Sequence, residues 1–192
     1  MKLTTGLPSH QRDAAAALYW DAFGGKLGHV LGPPPRALAF IANAIDTTHV
    51  ICATADDGTL LGVAGFKTHR GALVAGSLPL MAQTYGWPGA LARSALLSLL
   101  SRDSENTCFV TDGIAVAPHA RNLRIGTALI DALSAEARAR HYPALRLDVV
   151  DTNPRAQALY IRLGFTPTKT TFIGPLRHIF GFRYTITLTR PV

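Results

Sequence analysis

Cysteine is nearly missing from this chain: Cys52 and Cys108 are the only two in 192 residues, and each lies in an apolar run that reads as a strand. Neither belongs to a Cys-x-x-Cys pair, and the seven histidines show no pair at metal-ligand spacing, so no structural metal site is expected. Both thiols read as small packed hydrophobes in a reducing compartment. Long hydrophobic runs are missing too. Met1 to His10 lacks the apolar stretch of a secretory leader, and the run from Ala90 to Leu100 is short and broken by Arg93, Ser94 and Ser98. No membrane span or export signal is expected, and the expected location is cytoplasmic. Acidic residues are scarce: 12 Asp and Glu stand against 19 Lys and Arg, a net charge of +7. The cations are scattered instead of gathered on one helix or loop, which argues against nucleic acid as the partner. A positive chain attracts a polyanionic cofactor and disfavours a strongly cationic acceptor such as a polyamine.

The length suits one domain, residues 1–192, with room for a proper core. Residues 2–5 read as a short strand and Pro8 to Phe23 as an amphipathic helix. The breakers Gly24, Gly25, Gly28, Gly32 and Pro33 to Pro35 predict a loop from Gly24 to Pro35 before a helix at Arg36 to Ala44. His49 to Ala55 and Leu60 to Thr68 are β-branched runs joined by Asp56, Asp57, Gly58 and Thr59, a hairpin signal. Gly71 to Arg102 is helical in character, with Leu91, Ala95 and Leu99 on one face, and forms a helical insertion over about 71–104. Strands at Cys108 to Val116 and Leu145 to Val150 flank a helix at about Leu123 to Arg140. Asn153 before Pro154, with Gly164 behind, predicts a capped helix between them. Thr166 to Phe172 and Phe180 to Thr189 read as the closing strands.

The chemistry concentrates in a core at 108–165. Pro118 ends a strand, and Ile125, Ala128, Leu129, Ala132 and Leu133 then repeat with helical spacing, so the chain turns from strand into helix between them. Unpaired main-chain N–H groups at such a turn, on the positive end of a helix dipole, suit a pyrophosphate. Two motifs lie here. Arg121, Arg124 and Gly126 form the first; Asn153, Ala156, Leu159, Tyr160, Gly164 and Phe165 form the second. On these two motifs the segment from Thr111 to Phe165 resembles the GCN5-related N-acetyltransferase (GNAT) superfamily, whose members bind acetyl coenzyme A. The second motif matches throughout; in the first, Arg124 stands where the family has a glycine, which costs on the order of 1 kcal/mol if that position needs a left-handed backbone.

The resemblance implies an α+β fold: a mixed, partly splayed central sheet between layers of helices. It implies that main chain at Ile114, Ala115 and Val116 takes the pantetheine arm. The turn Arg121, Asn122, Leu123, Arg124, Ile125, Gly126, Thr127 and Ala128 would hold the pyrophosphate, with Asn153 and Ala156 as further cofactor contacts. Tyr160 is then the acid that protonates the departing thiolate, and Asp112 or Asp148 the base that deprotonates an amine. For either aspartate a salt bridge to a neighbour such as Arg146 is the plainer account, and for Asn153 a helix cap is. The expected activity is transfer of an acetyl group to a primary amine of a small molecule or peptide, by direct attack in a ternary complex. Its acceptor walls are expected at the loops Gly24 to Pro35 and Phe172 to Phe180, with Trp20, Phe23 and Phe180 as apolar lining. A non-catalytic acyl-coenzyme-A sensor or scaffold is the alternative, and the insertion at Gly71 to Arg102 is a candidate homodimer or partner surface.

Overall fold

The computed structural model describes residues 1–99 and 107–192, in which seven strands form one sheet in the order β1-β2-β3-β4-β5-β7-β6. The strands are β1 (Lys2–Thr5), β2 (Val50–Thr54), β3 (Leu60–Lys67), β4 (Phe109–Val116), β5 (Ala144–Val150), β6 (Thr166–Phe172) and β7 (Tyr184–Pro191). The helices are α1 (Arg12–Leu31), α2 (Pro34–Ala44), α3 (Leu78–Ser98), α4 (Ile125–Ala139), α5 (Pro154–Arg162) and α6 (Arg177–Phe180). All neighbours pair antiparallel except β4 and β5. The α+β expectation therefore holds.

Alternation along the strands sends side chains to two faces, and each face has its own core. Ile125, Leu129, Ile130, Leu133 and Ala137 on one stripe of α4 bury against Ala64, Phe66, Phe109, Leu145, Leu147 and Val149. On the opposite face α1, α2 and α3 cover Val50, Cys52, Val63 and Ala115. A third cluster gathers Val30 from α1 with Val150, Ile173, Phe180 and Phe182. Burial pushes the Cys52 thiol up to about 11, in keeping with a packed hydrophobe.

Capping chemistry explains the helix after β5. Asn153 Oδ1 accepts the N–H of Ala156 at 3.2 Å, Pro154 occupies the first turn, and Gly164 closes the helix at φ 84°.

Three boundaries correct the sequence reading. The expected loop at Gly24 to Pro35 is helix for most of its length: α1 continues to Leu31, and α2 starts at Pro34. Tertiary packing overrides the glycines there: Leu31 and Val30 at the end of α1 are buried in two separate core clusters. A Cβ on Gly24 would stand 2.9 Å from the Trp20 ring, so the glycine makes room for that ring on the same helix. The final strand begins at Tyr184, because Phe180 belongs to α6 and is buried. The helical insertion is helix only from Leu78, kinked at Gly86 (φ 72°, ψ 160°) just before Pro88, while 71–77 forms a loop. The remainder of the expected insertion, 100–104, lies outside the described residues.

Candidate active site

β4 and β5 pair only at Phe109 with Leu145 and Val110 with Arg146. Beyond those two pairs no ladder joins them, although β4 runs on to Val116 and β5 to Val150. On its other side β4 stays paired with β3 through Ile114, Ala115 and Val116. Those three residues therefore present an opened strand edge towards the gap, where the sequence placed the pantetheine contacts.

The β4 strand also carries a bulge. Gly65 pairs with Gly113 and Phe66 with Thr111, so Asp112 is the extra residue opposite the bond between them. Gly113 has φ 122°, and a Cβ there would meet the Phe23 ring at 2.8 Å. The bulge thus turns Asp112 and Gly113 to the same face, the one covered by α1. Asp112 Oδ2 accepts the N–H of Val74 at 3.2 Å, Oδ1 lies 3.4 Å from Lys67 Nζ, and only 13 % of its side chain is exposed. Tyr19 stands next to it, its phenol pushed well above the usual value by burial first and the Asp112 charge second. The loop that delivers Val74 is itself anchored: Asp46 N–H donates to Leu73 O at 2.8 Å, and Ala75 N–H donates to Ala44 O at 3.0 Å.

Counting on from the last β4–β5 pair brings Asp148 level with Asp112, on the face opposite buried Leu147 and Val149. Asp148 Oδ2 accepts from Arg146 at 3.1 Å and Oδ1 accepts from the Thr187 hydroxyl. The ion pair anticipated from sequence is present, yet 36 % of the Asp148 side chain remains exposed.

The turn between β4 and α4 leaves a run of main-chain donors unpaired among the described residues. Asn122 (φ 67°) and Arg124 (φ 59°) both adopt left-handed backbone, so the position where Arg replaces glycine does carry that geometry. No side chain caps α4 and no acid lies in its first turn. Among the described residues, no acceptor is paired with the main-chain N–H groups from Asn122 to Thr127. The N–H of Ala128, by contrast, is already used by Arg124 O at 3.0 Å, which removes its amide from the predicted cradle. α4 itself begins at Ile125, two residues later than expected. A Cβ on Gly126 would meet only Leu159, at 3.8 Å, so no protein atom requires glycine at that position. A diphosphate would fit this turn: no donor there is paired among the described residues, the dipole is favourable, and Gly126 puts no side chain over it, with Leu159 the nearest neighbour. Arg121 is held near the turn by the Asp21 carboxylate of α1 and by Val116 O, to which its Nε donates at 3.3 Å. Asn153 and Ala156 are joined to each other by the cap bond.

Tyr160 lies on α5 with its ring 5.9 Å from that of Phe165. Burial pushes its phenol up to about 12, so it remains protonated at neutral pH. Its hydroxyl has no hydrogen-bond partner among the described residues and is free to donate.

The opposite wall comes mainly from α1, which sequence reasoning had ended too early. Phe23 covers Gly113 of β4, and Val30 joins Val150 of β5 in the third cluster. The helix therefore crosses the gap between the two strands. α6 packs against α1, and Phe180 is core instead of the acceptor lining expected of it. Trp20 is spent on covering Gly24. The signal for α1 was present: Phe23, Leu27, Val30 and Leu31 continue a helical apolar stripe straight through the glycines.

No helix among the described residues is long and apolar enough to cross a membrane, and no cluster of metal-ligating side chains occurs among them. No curated protein matches the sequence. Solved structures do match the fold. A crystal structure of an acetyltransferase aligns over 100 % of both chains at 17 % identity and a TM-score of 0.67. The ribosomal-protein-S18-alanine N-acetyltransferase of Escherichia coli aligns over 100 % of this chain and 93 % of its own at 18 % identity and a TM-score of 0.61. A phosphinothricin acetyltransferase from Sinorhizobium meliloti, solved with AcCoA, aligns over 100 % and 88 % at 16 % identity and a TM-score of 0.61. The model of the acetyltransferase (GNAT) family matches residues 12–165, which spans the parted strands, the anion cradle and Tyr160, and the chain belongs to that family of acetyl-CoA-dependent acetyltransferases.

Proposed function

We propose that this acetyltransferase moves an acetyl group to a primary amine by direct attack, with both substrates held at once in the gap between β4 and β5. One observation carries the reading: a run of unpaired main-chain N–H groups from Asn122 to Thr127 lies beside the opened edge of β4. Acetyl coenzyme A supplies an acyl group already activated as a thioester. The amides of 122–127 bind its diphosphate, and the free edge at Ile114, Ala115 and Val116 aligns the arm between the strands. Tyr160 gives its phenolic proton to the departing sulfur and regains one from the acceptor nitrogen as the amide forms. Asp148, the more exposed of the two carboxylates, takes a proton from the ammonium form of the acceptor, directly or through water. Asp112 fixes the bulge, through Val74 and Lys67. Asn153 acts through its cap, which orients α5 and hence Tyr160.

Direct attack is favoured because Cys52 is buried in β2 with a raised thiol pKa, and Cys108 precedes β4 at the end remote from the gap. Relatives of the same fold include enzymes named for an alanine amine of a ribosomal protein and for phosphinothricin, which supports an amine as acceptor. The free thiols of Cys52 and Cys108 fit a cytoplasmic enzyme. Release of free thiol from acetyl coenzyme A with a panel of primary amines tests the proposal. Tyr160→Phe is expected to lower kcat about a hundredfold or more with coenzyme A affinity unchanged; an undiminished kcat would remove Tyr160 from the mechanism.

A further inference from the structure

Where it crosses the gap, α1 carries a cation, Lys26, that the reaction scheme leaves unused. Lys26 follows Phe23 by three residues and precedes Val30 by four, so all three lie on the sheet-facing side of the helix. Phe23 is fixed over Gly113 of β4, and Val30 belongs with Val150 of β5. The intervening turn, with Lys26, spans the gap where those strands part. Its Nζ lies 5.2 Å from the centre of the Phe23 ring. Lys26 has no ion pair among the described residues, and burial lowers its ammonium below the usual value. A cation taken partly out of water costs stability, which an arriving anion recovers.

A second cation stands close by: Arg177 projects from α6, which packs against α1, and is exposed. Among the described residues the acids around the gap already have partners: Asp21 pairs with Arg121, Asp112 with Lys67, Asp148 with Arg146, and Asp151 accepts the main-chain N–H of Arg183 at 3.1 Å.

We infer that Lys26 is a specificity-determining residue that binds a carboxylate of the acceptor, so that the substrates are amines of the amino-acid class. This inference rests on the N-acetyltransferase reading above. The carboxylate pairs with Lys26 and the Phe23 ring packs under the ammonium. The amine end of the same molecule then lies on the sheet side, towards Asp148. A polyamine or other dication is repelled by the same group.

The test compares matched acceptors with acetyl coenzyme A: an amino acid, its carboxamide, its decarboxylated amine and a phosphonate analogue. Wild-type protein is expected to favour the carboxylate over the carboxamide by roughly ten- to hundredfold in kcat/KM. Lys26→Met should collapse that ratio towards one, chiefly by raising KM for the carboxylate, and Lys26→Arg should restore part of it. Coenzyme A affinity, read by calorimetry, checks that the variants keep their fold. Equal use of carboxylate and carboxamide by wild type, or a preference that survives Lys26→Met, overturns the role of Lys26 and leaves the acetyltransferase reading standing. A stronger preference for the phosphonate reassigns the anion. Failure to acetylate any amine, charged or uncharged, overturns both.

Discussion

Replacing Gly126 with alanine should make the protein more stable and a worse binder, a combination that only a ligand-facing glycine gives. Gly126 sits in the first turn of α4 with ordinary helical backbone, since it is absent from the positive-φ residues. The added methyl has a place to go, in van der Waals contact 3.8 Å from Leu159. Alanine exceeds glycine in a helix by up to about 1 kcal/mol, somewhat less in a first turn, so a gain of about 0.5–1 kcal/mol is expected. For a chain of this size that is a rise of about 1–4 °C in Tm. The same methyl tilts towards the helix N-terminus, where it stands among the free N–H groups. Weakening one charge-assisted hydrogen bond to the diphosphate removes about 1.5–3 kcal/mol, a loss of roughly ten- to hundredfold in coenzyme A affinity. Thermal melts and isothermal titration on the same preparations read both effects. A drop of several degrees in Tm would show that the fold needs the glycine. A raised Tm with unchanged affinity would show that the diphosphate is not held there, and the reasoning about the cradle would be refuted.

Asp148→Asn should cut kcat with little change in stability, whereas Asp112→Asn should chiefly lower stability by about 1–3 kcal/mol in urea titrations, because Asn offers one acceptor oxygen and no charge where Val74 N–H and Lys67 use two carboxylate oxygens; the reverse pattern would exchange the two roles. Gly113→Ala forces a side chain into φ 122° and onto Phe23, with an expected cost of about 2–4 kcal/mol. Phe23→Ala in the same chain should recover only the clash, so a double-mutant cycle showing full recovery would deny the backbone strain. The folded phenol of Tyr160 is raised to about 12, above the unfolded value near 10. Its contribution to stability is therefore complete below about pH 10 and is lost as pH rises towards 12. Tyr160→Phe should flatten that alkaline loss in Tm, and an unaltered curve would place the phenol in water.

The parts of the site that could be read from sequence are those made by local chemistry. Asn153, Pro154 and Gly164 declare a capped, glycine-stopped helix, and each behaves as its own backbone preference dictates. The turn into α4 was legible because Pro118 ends the strand and Ile125, Leu129 and Leu133 restart with helical spacing. What escaped depends on distant partners. Gly24, Gly25 and Gly28 read as a loop, but burial of Val30 and Leu31 against distant elements holds them helical, and with them the wall that carries Lys26. The bulge at Asp112 follows from the pairing of β3 with β4, which strand propensity alone does not encode. Phe180 reads as strand from its neighbours and is helix because a four-residue turn buries it with Val30 and Val150.

The account stands on the amides of 122–127 holding a diphosphate beside the opened strand, and a paired titration tests that directly. Calorimetry of the wild-type chain with coenzyme A, and then with pantetheine lacking the diphosphate, should give one bound coenzyme A per chain and at least a hundredfold weaker pantetheine. Equal affinity for the two, or no association with coenzyme A, would contradict it.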